Sequence, residues 1–311
     1  MDLSSLLGGL EDQFERTVQG RVLILDSDFA CYQAAATVKK LPTAITRFQT
    51  LVETEVFVTG AELVRVHLTP RGCKKCMRHD YPTVKPYQAQ RTGPKPVLLE
   101  PLRQAVMTHP WPEHWATFAW QDREADDGMM MDALQYGDNG IVLSGDKDLS
   151  ITPGPYWIID EGRLDIIDNR FGWIKTKQLT SSTKVVGHGT SFYWAQMLMG
   201  DPADNVKGLI SHDGRPVGPV AAYQLLKDIS EEGDAAELVI GLYGKIGQDP
   251  LAEAQCLWLR RSLEDCAYKY LCELGLQPRY QQWLDDIHGY HGQWLAMKQA
   301  QREEAKHDAM Y

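Results

Sequence analysis

The sequence lacks an N-terminal basic region followed by a long apolar run, and it lacks any apolar stretch long enough to cross a bilayer. Neither a secretory signal nor a membrane partner is therefore expected. The cysteines at 31, 73, 76, 256, 266 and 272 are too sparse and irregular for a disulfide framework. Reduced thiols and a cytoplasmic location are the prediction. No internal repeat, low-complexity tract or flexible linker is present.

The overall charge is acidic, but basic residues are concentrated in one region. The 311 residues are 43% hydrophobic, enough for a sizeable core, and carry a formal net charge of −10, which alone argues against a polyanionic partner. Between 71 and 95 the balance reverses, and Tyr81 and Tyr87 are interleaved with cations. Such a patch attracts phosphates by counterion release, with a solvated loop as the alternative. Its cations are Arg71, Lys74, Lys75, Arg78, Lys85, Arg91 and Lys95.

Apolar runs and helical spacing alternate along the first half of the chain, after a short helix or arm predicted for residues 1–20. Strands are predicted at 21–25, 63–68, 116–120 and 141–145, helices at 44–58, 98–107, 124–135 and 191–199, and a hairpin at 156–160 and 163–167. The remainder from about 234 is helical in composition. The βαβ order predicts an α/β fold with a parallel central sheet flanked by helices, and a ligand site at the carboxyl ends of its strands.

Acidic residues gather where these predicted strands end and where one helix begins. Carboxylates this dense repel one another unless a cation lies among them, and their oxygen atoms suit Mg²⁺ or Mn²⁺. There are enough for two ions, which catalyse in-line displacement at phosphorus when about 3.5 to 4 Å apart. Phosphodiester hydrolysis is the interpretation, while a helix cap or turn is the alternative for any single aspartate. The candidates are Asp26, Glu124, Asp126, Asp127, Asp146, Asp148, Asp201 and Asp204.

Four acid motifs resemble those of the flap-endonuclease and 5′-nuclease superfamily in order and approximate spacing. They are LILDSDF at 23–29, EADD at 124–127, SGDKDL at 144–149 and GDPADNVKG at 200–208. The similarity covers roughly residues 20–230 and is closest to the 5′-to-3′ exonucleases of T-seven-like phages. The resemblance implies a PIN-like fold and two catalytic metal ions. Their direct or water-mediated ligands would be Asp26, Glu124, Asp126, Asp127, Asp146 and Asp148. Asp201 and Asp204 complete the second metal site. Asp28 matches the motif less closely, and its implied role is to hydrogen-bond the metal centre rather than to bind metal.

The resemblance also implies residues that handle DNA. The family carries a helical arch or loop in the place of 71–95, with a Tyr-Lys-x-x-Arg element that meets the scissile phosphate. Here Tyr87 and Arg91 match, Gln88 replaces the lysine, and Lys85 is a substitute for it. Residues 206–222 resemble a helix-hairpin-helix, in which the family often binds K⁺, although 211–216 expands the turn. The predicted DNA-binding residues are Lys74, Lys75, Arg78, Lys85, Tyr87, Arg91, Lys207, Gly208, Arg215 and Gly218.

The function predicted from the sequence is a metal-dependent 5′-to-3′ exonuclease that hydrolyses duplex DNA, in the host cytoplasm if the protein is viral. RNA primers in hybrids are a further substrate by resemblance, and flap endonuclease activity is the alternative. Residues 1–185 are expected to form the catalytic core and 186–311 a helical DNA-binding subdomain. Arg91 is expected to orient the phosphate.

Three other interpretations fit parts of the sequence. An apolar strand followed by Asp-x-Asp, as in LILDSD, also occurs at the start of haloacid-dehalogenase-type phosphatases. In that fold Thr or Val closely follows the second aspartate, whereas Phe29 and Ala30 follow here, and EADD has no role in such a phosphatase. A non-catalytic DNA-binding protein of this fold would have lost several of the acids, and none is missing. Cys73, Cys76 and His79 suggest zinc only weakly, because no second cysteine pair follows at a suitable spacing.

Overall fold

The computed structural model describes residues 17–151, 153–159, 161–167 and 169–308. The described residues form two compact units, of which the first comprises 17–74 and 93–169 and the second 75–92 and 170–308. The arm or helix expected over 1–20 lies, up to residue 16, outside the described residues. No helix within the described ranges is both long and apolar enough to cross a membrane.

The first unit is built on a six-stranded sheet in the order β3-β2-β1-β4-β5-β6. Neighbours from β3 through β5 are parallel, and β6 returns antiparallel to β5. The predicted parallel sheet and the predicted hairpin are therefore confirmed. The strands are β1 (Val22–Asp26), β2 (Leu63–Leu68), β3 (Trp115–Ala119), β4 (Gly140–Leu143), β5 (Gly154–Ile158) and β6 (Arg163–Ile167).

Helices cover both faces of this sheet, which explains why β1 is apolar at every position before Asp26. Leu23 and Leu25 are fully buried in a core shared with Phe48 of α2. Val22 and Ile24 alternate with them on the opposite face, where α4 packs against β1, and are also fully buried. The helices are α1 (Ser27–Ala35), α2 (Leu41–Thr59), α3 (Leu99–Thr108) and α4 (Ala125–Tyr136).

The described residues of the second unit combine helices with a two-stranded antiparallel sheet. An aromatic cluster lies in its core, where Trp258 stacks on Tyr270 with ring centroids 3.8 Å apart and Tyr193 meets Trp258 edge-on. The hairpin, β7 (Trp173–Gln178) and β8 (Thr183–His188), was not predicted. The helices are α5 (Thr190–Met199), α6 (Pro219–Leu226), α7 (Glu232–Lys245), α8 (Pro250–Leu257), α9 (Ala267–Glu273) and α10 (Pro278–Asp308).

Candidate metal centre

The first acidic position lies at the end of β1, where the chain passes directly into α1. Asp26 caps that helix, because its Oδ1 accepts the Phe29 N–H at 3.0 Å. Its Oδ2 accepts the Ser144 hydroxyl at 2.5 Å, and the residue is only 5% exposed. Asp26 therefore caps a helix, which is the role that the sequence leaves open for any single aspartate. The same contacts fix the orientation of its carboxylate at the end of the strand.

The loop after β4 brings a second group of acids to Asp26. Because β1 and β4 are parallel neighbours, their carboxyl ends meet at one edge of the sheet. Ser144 Oγ accepts the Asp146 N–H at 2.9 Å, and Asp146 Oδ1 accepts the Asp148 N–H at 3.0 Å. The Tyr156 hydroxyl donates to the Ser144 carbonyl at 3.0 Å. These contacts fix the Asp-x-Asp pair next to the first strand.

The start of α4 supplies the third group of acids through a reciprocal cap. The Glu124 N–H donates to Asp127 Oδ2 at 3.2 Å, while the Glu124 side chain accepts the Asp127 N–H. Thr69, just after β2, ties this turn to the sheet because its hydroxyl accepts the Ala125 N–H at 2.8 Å. Asp127 is completely buried and serves the cap. Asp126, between these two acids, is half-buried.

The three groups of acids lie close enough to disfavour one another's charge. Burial, then the charges of Asp26 and Asp146, raise the pKa of Asp126 well above its ordinary value, with Glu124 and Asp28 adding to the effect. Burial and the charge of Asp28 raise the pKa of Asp26 from 3.8 to about 6. The structure thus brings together acids from β1, from the loop after β4 and from the start of α4. The parallel order of the strands predicts that these positions meet at one edge of the sheet.

Tyr156 on β5 and Ser144 belong to the site, although sequence reasoning did not single them out. Burial raises the pKa of the Tyr156 phenol, and so do the charges of four surrounding acids, Asp146, Asp26, Asp126 and Asp148. The phenol therefore stays protonated and acts as a hydrogen-bond donor. Ser144 could have been found within SGDKDL, but the approach of a tyrosine from β5 has no local sequence signal.

Two acids at this edge have basic partners. Asp28 binds the Arg103 guanidinium at 2.7 Å and accepts the Thr69 N–H at 3.3 Å. Asp148 pairs with Lys147 at 2.8 Å, and the Lys147 side chain is half exposed. A surface ion pair of this kind stabilises weakly. Burial and the neighbouring acids raise the pKa of Asp26 and of Asp126 even with these cations nearby.

The donor set fits a hard divalent cation. The clustered ligand atoms are carboxylate oxygens, which favour Mg²⁺ or Mn²⁺ over metals that prefer sulfur or imidazole. A bound cation would reverse the repulsion that raises the pKa of Asp126, because it stabilises the ionised form. The residues of the first unit that could hold it are Asp26, Glu124, Asp126, Asp146 and Asp148.

The raised pKa of Asp26 predicts how the metal-free protein responds to pH. The folded state holds this proton up to about pH 6, whereas the unfolded chain releases it near 3.8. The free energy of unfolding should fall between these values as pH rises, by on the order of 2 kcal/mol. Urea unfolding of the wild type and Asp26→Asn, with chelator, measures this difference. Mg²⁺ should restore the loss at pH 7.5 and have little effect at pH 4.5; matching pH profiles for the two proteins would contradict the assignment.

The GDPADNVKG motif forms a tight loop in the second unit, which we call the acidic loop (residues 200–208). Asp201 is 1% exposed, exchanges two backbone hydrogen bonds with Val206, and accepts the Ala203 N–H at 3.2 Å through Oδ1. Gly200 has φ +75°, and a Cβ there would lie 2.5 Å from the Val206 carbonyl oxygen. The loop therefore requires glycine at its start. The carboxylate of Asp204 accepts the Tyr87 hydroxyl at 2.9 Å.

The predicted basic region divides between the two units. Lys74 is exposed in the first unit, and residues 75–92, which we call the basic segment, belong to the second. In that segment Lys85 and Arg91 are exposed, and Lys75 donates to Gln88 Oε1 at 2.5 Å. Arg78 is 2% exposed, which differs from the exposed position expected of an arginine that binds phosphate. Its guanidinium binds backbone carbonyls instead.

The expanded turn at 211–216 is a small hairpin. His212 and Arg215 exchange backbone hydrogen bonds of 2.9 and 3.0 Å, and the residues between them have left-handed backbones, with φ +49° at Asp213 and +75° at Gly214. Arg215 is exposed at this tip. Gly218 then precedes α6, where Pro219 occupies the first turn. Lys207 and Gly208 lie in the acidic loop, where their N–H groups bind a buried carboxylate.

The β7–β8 hairpin presents a basic face that sequence reasoning missed. Lys177 pairs with Lys184 and Trp173 with His188, and paired residues of antiparallel strands share one face. Lys175 lies on that face with its Nζ 4.6 Å from the centre of the Trp173 ring. A signal was available, since residues 170–189 contain four Lys or Arg and no acid in a chain of net charge −10.

Comparisons with known proteins found similarity at the level of structure. No protein-family model and no curated protein matches the sequence. The chain is similar to a mutant 5′-exonuclease of T5, at 13% identity and TM-score 0.45. It is also similar to a T5 protein crystallised with metal ions, at 13% and 0.46, and to a bacteriophage T5 flap endonuclease in a pseudo-enzyme–product complex with DNA and metal ions, at 12% and 0.48. Each alignment covers 86% of this chain and 98% of the other.

Proposed function

We propose that the protein is a metal-dependent 5′ nuclease that hydrolyses phosphodiester bonds of DNA. The observation that carries the proposal is the convergence of Asp26, Asp126 and Asp146, from three separate elements, at one edge of the parallel sheet. Asp26 and Asp146 are held by hydrogen bonds from backbone N–H groups, and their charges add to burial in raising the pKa of Asp126. Acids that disfavour one another's charge at a strand end in this way suit a metal site better than a structural one.

The cofactor we propose is Mg²⁺ or Mn²⁺, in two ions. When bound, the ions supply Lewis acidity for in-line displacement at phosphorus. Asp26, Glu124, Asp126, Asp146 and Asp148 would hold them, with Asp127 fixing the turn that carries Glu124 and Asp126. Asp201 and Asp204 stay predicted ligands on the strength of their motif alone.

The chain's own residues orient these acids. Ser144 holds Asp26 through its hydroxyl and Asp146 through that residue's N–H, so a shift of one acid moves the other. Tyr156 donates to the carbonyls of Ser144 and Asp146, at 3.0 and 3.3 Å. Arg91, exposed on the basic segment, would bind the phosphate of the substrate through its guanidinium. The proposal does not include the family's K⁺ site, because the expanded turn at 211–216 departs from the hairpin that binds K⁺ there.

Duplex DNA as the substrate is supported by where the second unit concentrates positive charge. The hairpin face of Lys175, Lys177 and Lys184 is exposed and unopposed by acids within its own strands. Phosphate contacts of this kind bind independently of sequence and depend on salt. The basic segment adds Lys85 and Arg91, both exposed.

Replacing Lys175, Lys177 and Lys184 together by serine should weaken DNA binding. If all three contact phosphates, the slope of log K against log salt should become shallower by about 3. Fluorescence anisotropy with a labelled duplex at several salt concentrations measures this slope. Serine at the exposed Lys39, Lys40 and Lys245 is a charge-matched control. Equal slopes for the two triple variants would remove the hairpin from the interface.

A cleavage assay tests the proposed function and separates its two forms. A 5′-end-labelled duplex and a flap substrate are incubated side by side with Mg²⁺, with Mn²⁺ and with chelator. A 5′-to-3′ exonuclease releases short products from the duplex end, whereas a flap endonuclease cuts near the junction. An RNA–DNA hybrid tests the predicted removal of primers. Absence of metal-dependent cleavage on every substrate, with the protein folded, would refute the proposal.

A further inference from the structure

The basic segment and the acidic loop are joined through Asp204. The Asp204 carbonyl accepts the Gln88 N–H at 2.8 Å. Its carboxylate accepts the Tyr87 hydroxyl at 2.9 Å and Gln88 Nε2 at 3.0 Å, and it forms an ion pair with Arg91. Gln88, which replaces the lysine of the resembled motif, thus binds the acidic loop with both backbone and side chain. The position of Arg91 is set by how the acidic loop is held.

A single buried carboxylate on α8 holds both of these pieces. Glu253 Oε1 accepts the Val84 N–H of the basic segment at 2.9 Å. Its Oε2 accepts the Lys207 and Gly208 N–H groups of the acidic loop, both at 3.0 Å. Glu253 is 1% exposed, and burial raises its pKa while the three N–H groups act against that rise. Charge-assisted hydrogen bonds to backbone donors are stronger than neutral ones.

The helix that carries Glu253 is itself fixed at both ends. Asp249 caps the start of α8, since its Oδ1 accepts the Leu251 N–H at 2.8 Å. At the other end the buried Arg78 guanidinium donates to the carbonyls of Gln255 and Trp258, at 3.3 and 2.8 Å. Arg78 belongs to the basic segment, so that segment contacts α8 at two separate points. This explains why an arginine of the basic region is buried.

We propose that Glu253 is a positioning residue, which fixes the acidic loop and the basic segment to each other so that Arg91 and Asp204 keep one arrangement. This inference rests on the proposed nuclease function, because Arg91 enters that function as the phosphate-binding group. Glutamine cannot replace Glu253, since one amide oxygen cannot accept at both of its contact points and the amide N–H₂ would face a backbone N–H. Sequence reasoning had no signal for this residue, which lies 45 positions or more from its partners.

A double-mutant cycle between Glu253→Gln and Arg91→Ala tests the proposal on the full chain. Glu253→Gln should lower kcat/KM for duplex cleavage by about tenfold or more, and the double variant should be no slower than Arg91→Ala alone. Glu237→Gln is the matched control, because it makes the same change at a carboxylate that binds the backbone and side-chain N–H groups of Gln277 instead of those of Val84, Lys207 and Gly208. Measured below the unfolding temperature of every variant, it should leave kcat/KM within about twofold. Additive effects of Glu253→Gln and Arg91→Ala would overturn the positioning role.

Amide hydrogen exchange tests the role of Glu253 without relying on nuclease activity. In Glu253→Gln the amides of Val84, Lys207 and Gly208 should lose protection together, whether or not the protein cleaves DNA. Wild-type protein that fails to cleave while these amides respond together would refute the nuclease and leave the link between the two segments intact. Loss of protection in only one segment would refute the link itself.

Discussion

An Asp126→Asn variant should lose almost all hydrolysis and yet unfold at a higher temperature than the wild type in metal-free buffer. Asp126 contributes a carboxylate at the point where the charges of Asp26, Asp146 and Glu124 converge. Asparagine keeps the shape and removes the charge, so the repulsion falls while a proposed metal ligand is lost. We expect kcat/KM to fall on the order of 10³-fold or more, equivalent to about 4 kcal/mol of transition-state stabilisation.

The two readouts of this variant are measured separately. Cleavage of a labelled duplex with Mg²⁺ gives the rate, and thermal unfolding with chelator at pH 7.5 gives the stability. Asp138→Asn, at an exposed position just after α4, is the control for the loss of one negative charge and should change neither by much. Wild-type activity in Asp126→Asn would remove this residue from the metal site. Lower stability without metal would show that its charge is compensated in the folded protein.

The sheet and its acidic edge could be predicted because their signals are local. β1 is apolar at every position before Asp26, since both of its faces are buried, and an acid directly after such a run must lie at the carboxyl edge. The loop that carries Asp146 likewise follows a strand, β4, that is buried at every position. A parallel sheet then brings separate strand ends together without any knowledge of side-chain contacts. The chain order alone predicted that convergence.

The contacts that orient these acids could not be predicted, because they join residues far apart in sequence. Tyr156 reaches the carbonyl of Ser144 through the pairing of β5 with β4, whose register the sequence does not specify. Glu253 holds Val84 across 169 positions. The β7–β8 hairpin was not predicted for a different reason. β7 is exposed at nearly every position and so lacks the alternation of apolar and polar residues by which a half-buried strand is recognised.

Asp132→Asn should destabilise the protein strongly, although it lies on the same helix as Asp126. Asp132 is 4% exposed, forms a bidentate pair with Arg65, and accepts His67 Nε2–H at 2.8 Å. Trp120 fixes that tautomer because its Nε1–H donates to His67 Nδ1 at 3.0 Å. Burial opposes ionisation of Asp132, but hydrogen bonds from His67 and Arg65 hold its pKa below the ordinary value. Removing one partner of a buried ion pair costs about 3 to 5 kcal/mol, and the partial exposure of Arg65 favours the lower figure.

Urea unfolding at pH 7 measures this loss, and its pH dependence has a defined sign. Because the folded pKa of Asp132 is depressed, its stabilisation is present above the ordinary value of 3.8 and disappears as pH falls through the folded pKa. The difference between wild type and Asp132→Asn should therefore shrink below about pH 4. Arg65→Met combined with Asp132→Leu should recover part of the stability, since it removes both charges. A loss under about 1 kcal/mol for Asp132→Asn at pH 7 would mean that the ion pair is solvated.

Asp126 and Asp132 make the strongest test as a pair, because the same substitution should act with opposite sign on one helix. The two positions are six residues apart on α4, and each change removes one negative charge from the same stretch of unfolded chain. Effects on the unfolded state or on helix propensity are therefore similar for the two variants, and their difference reports the folded environments. Asp126 meets acids and Asp132 meets Arg65 and His67. Mg²⁺ should raise the unfolding temperatures of the wild type and of Asp132→Asn. It should raise that of Asp126→Asn much less, because Asp126 is a proposed ligand and Asp132 is not.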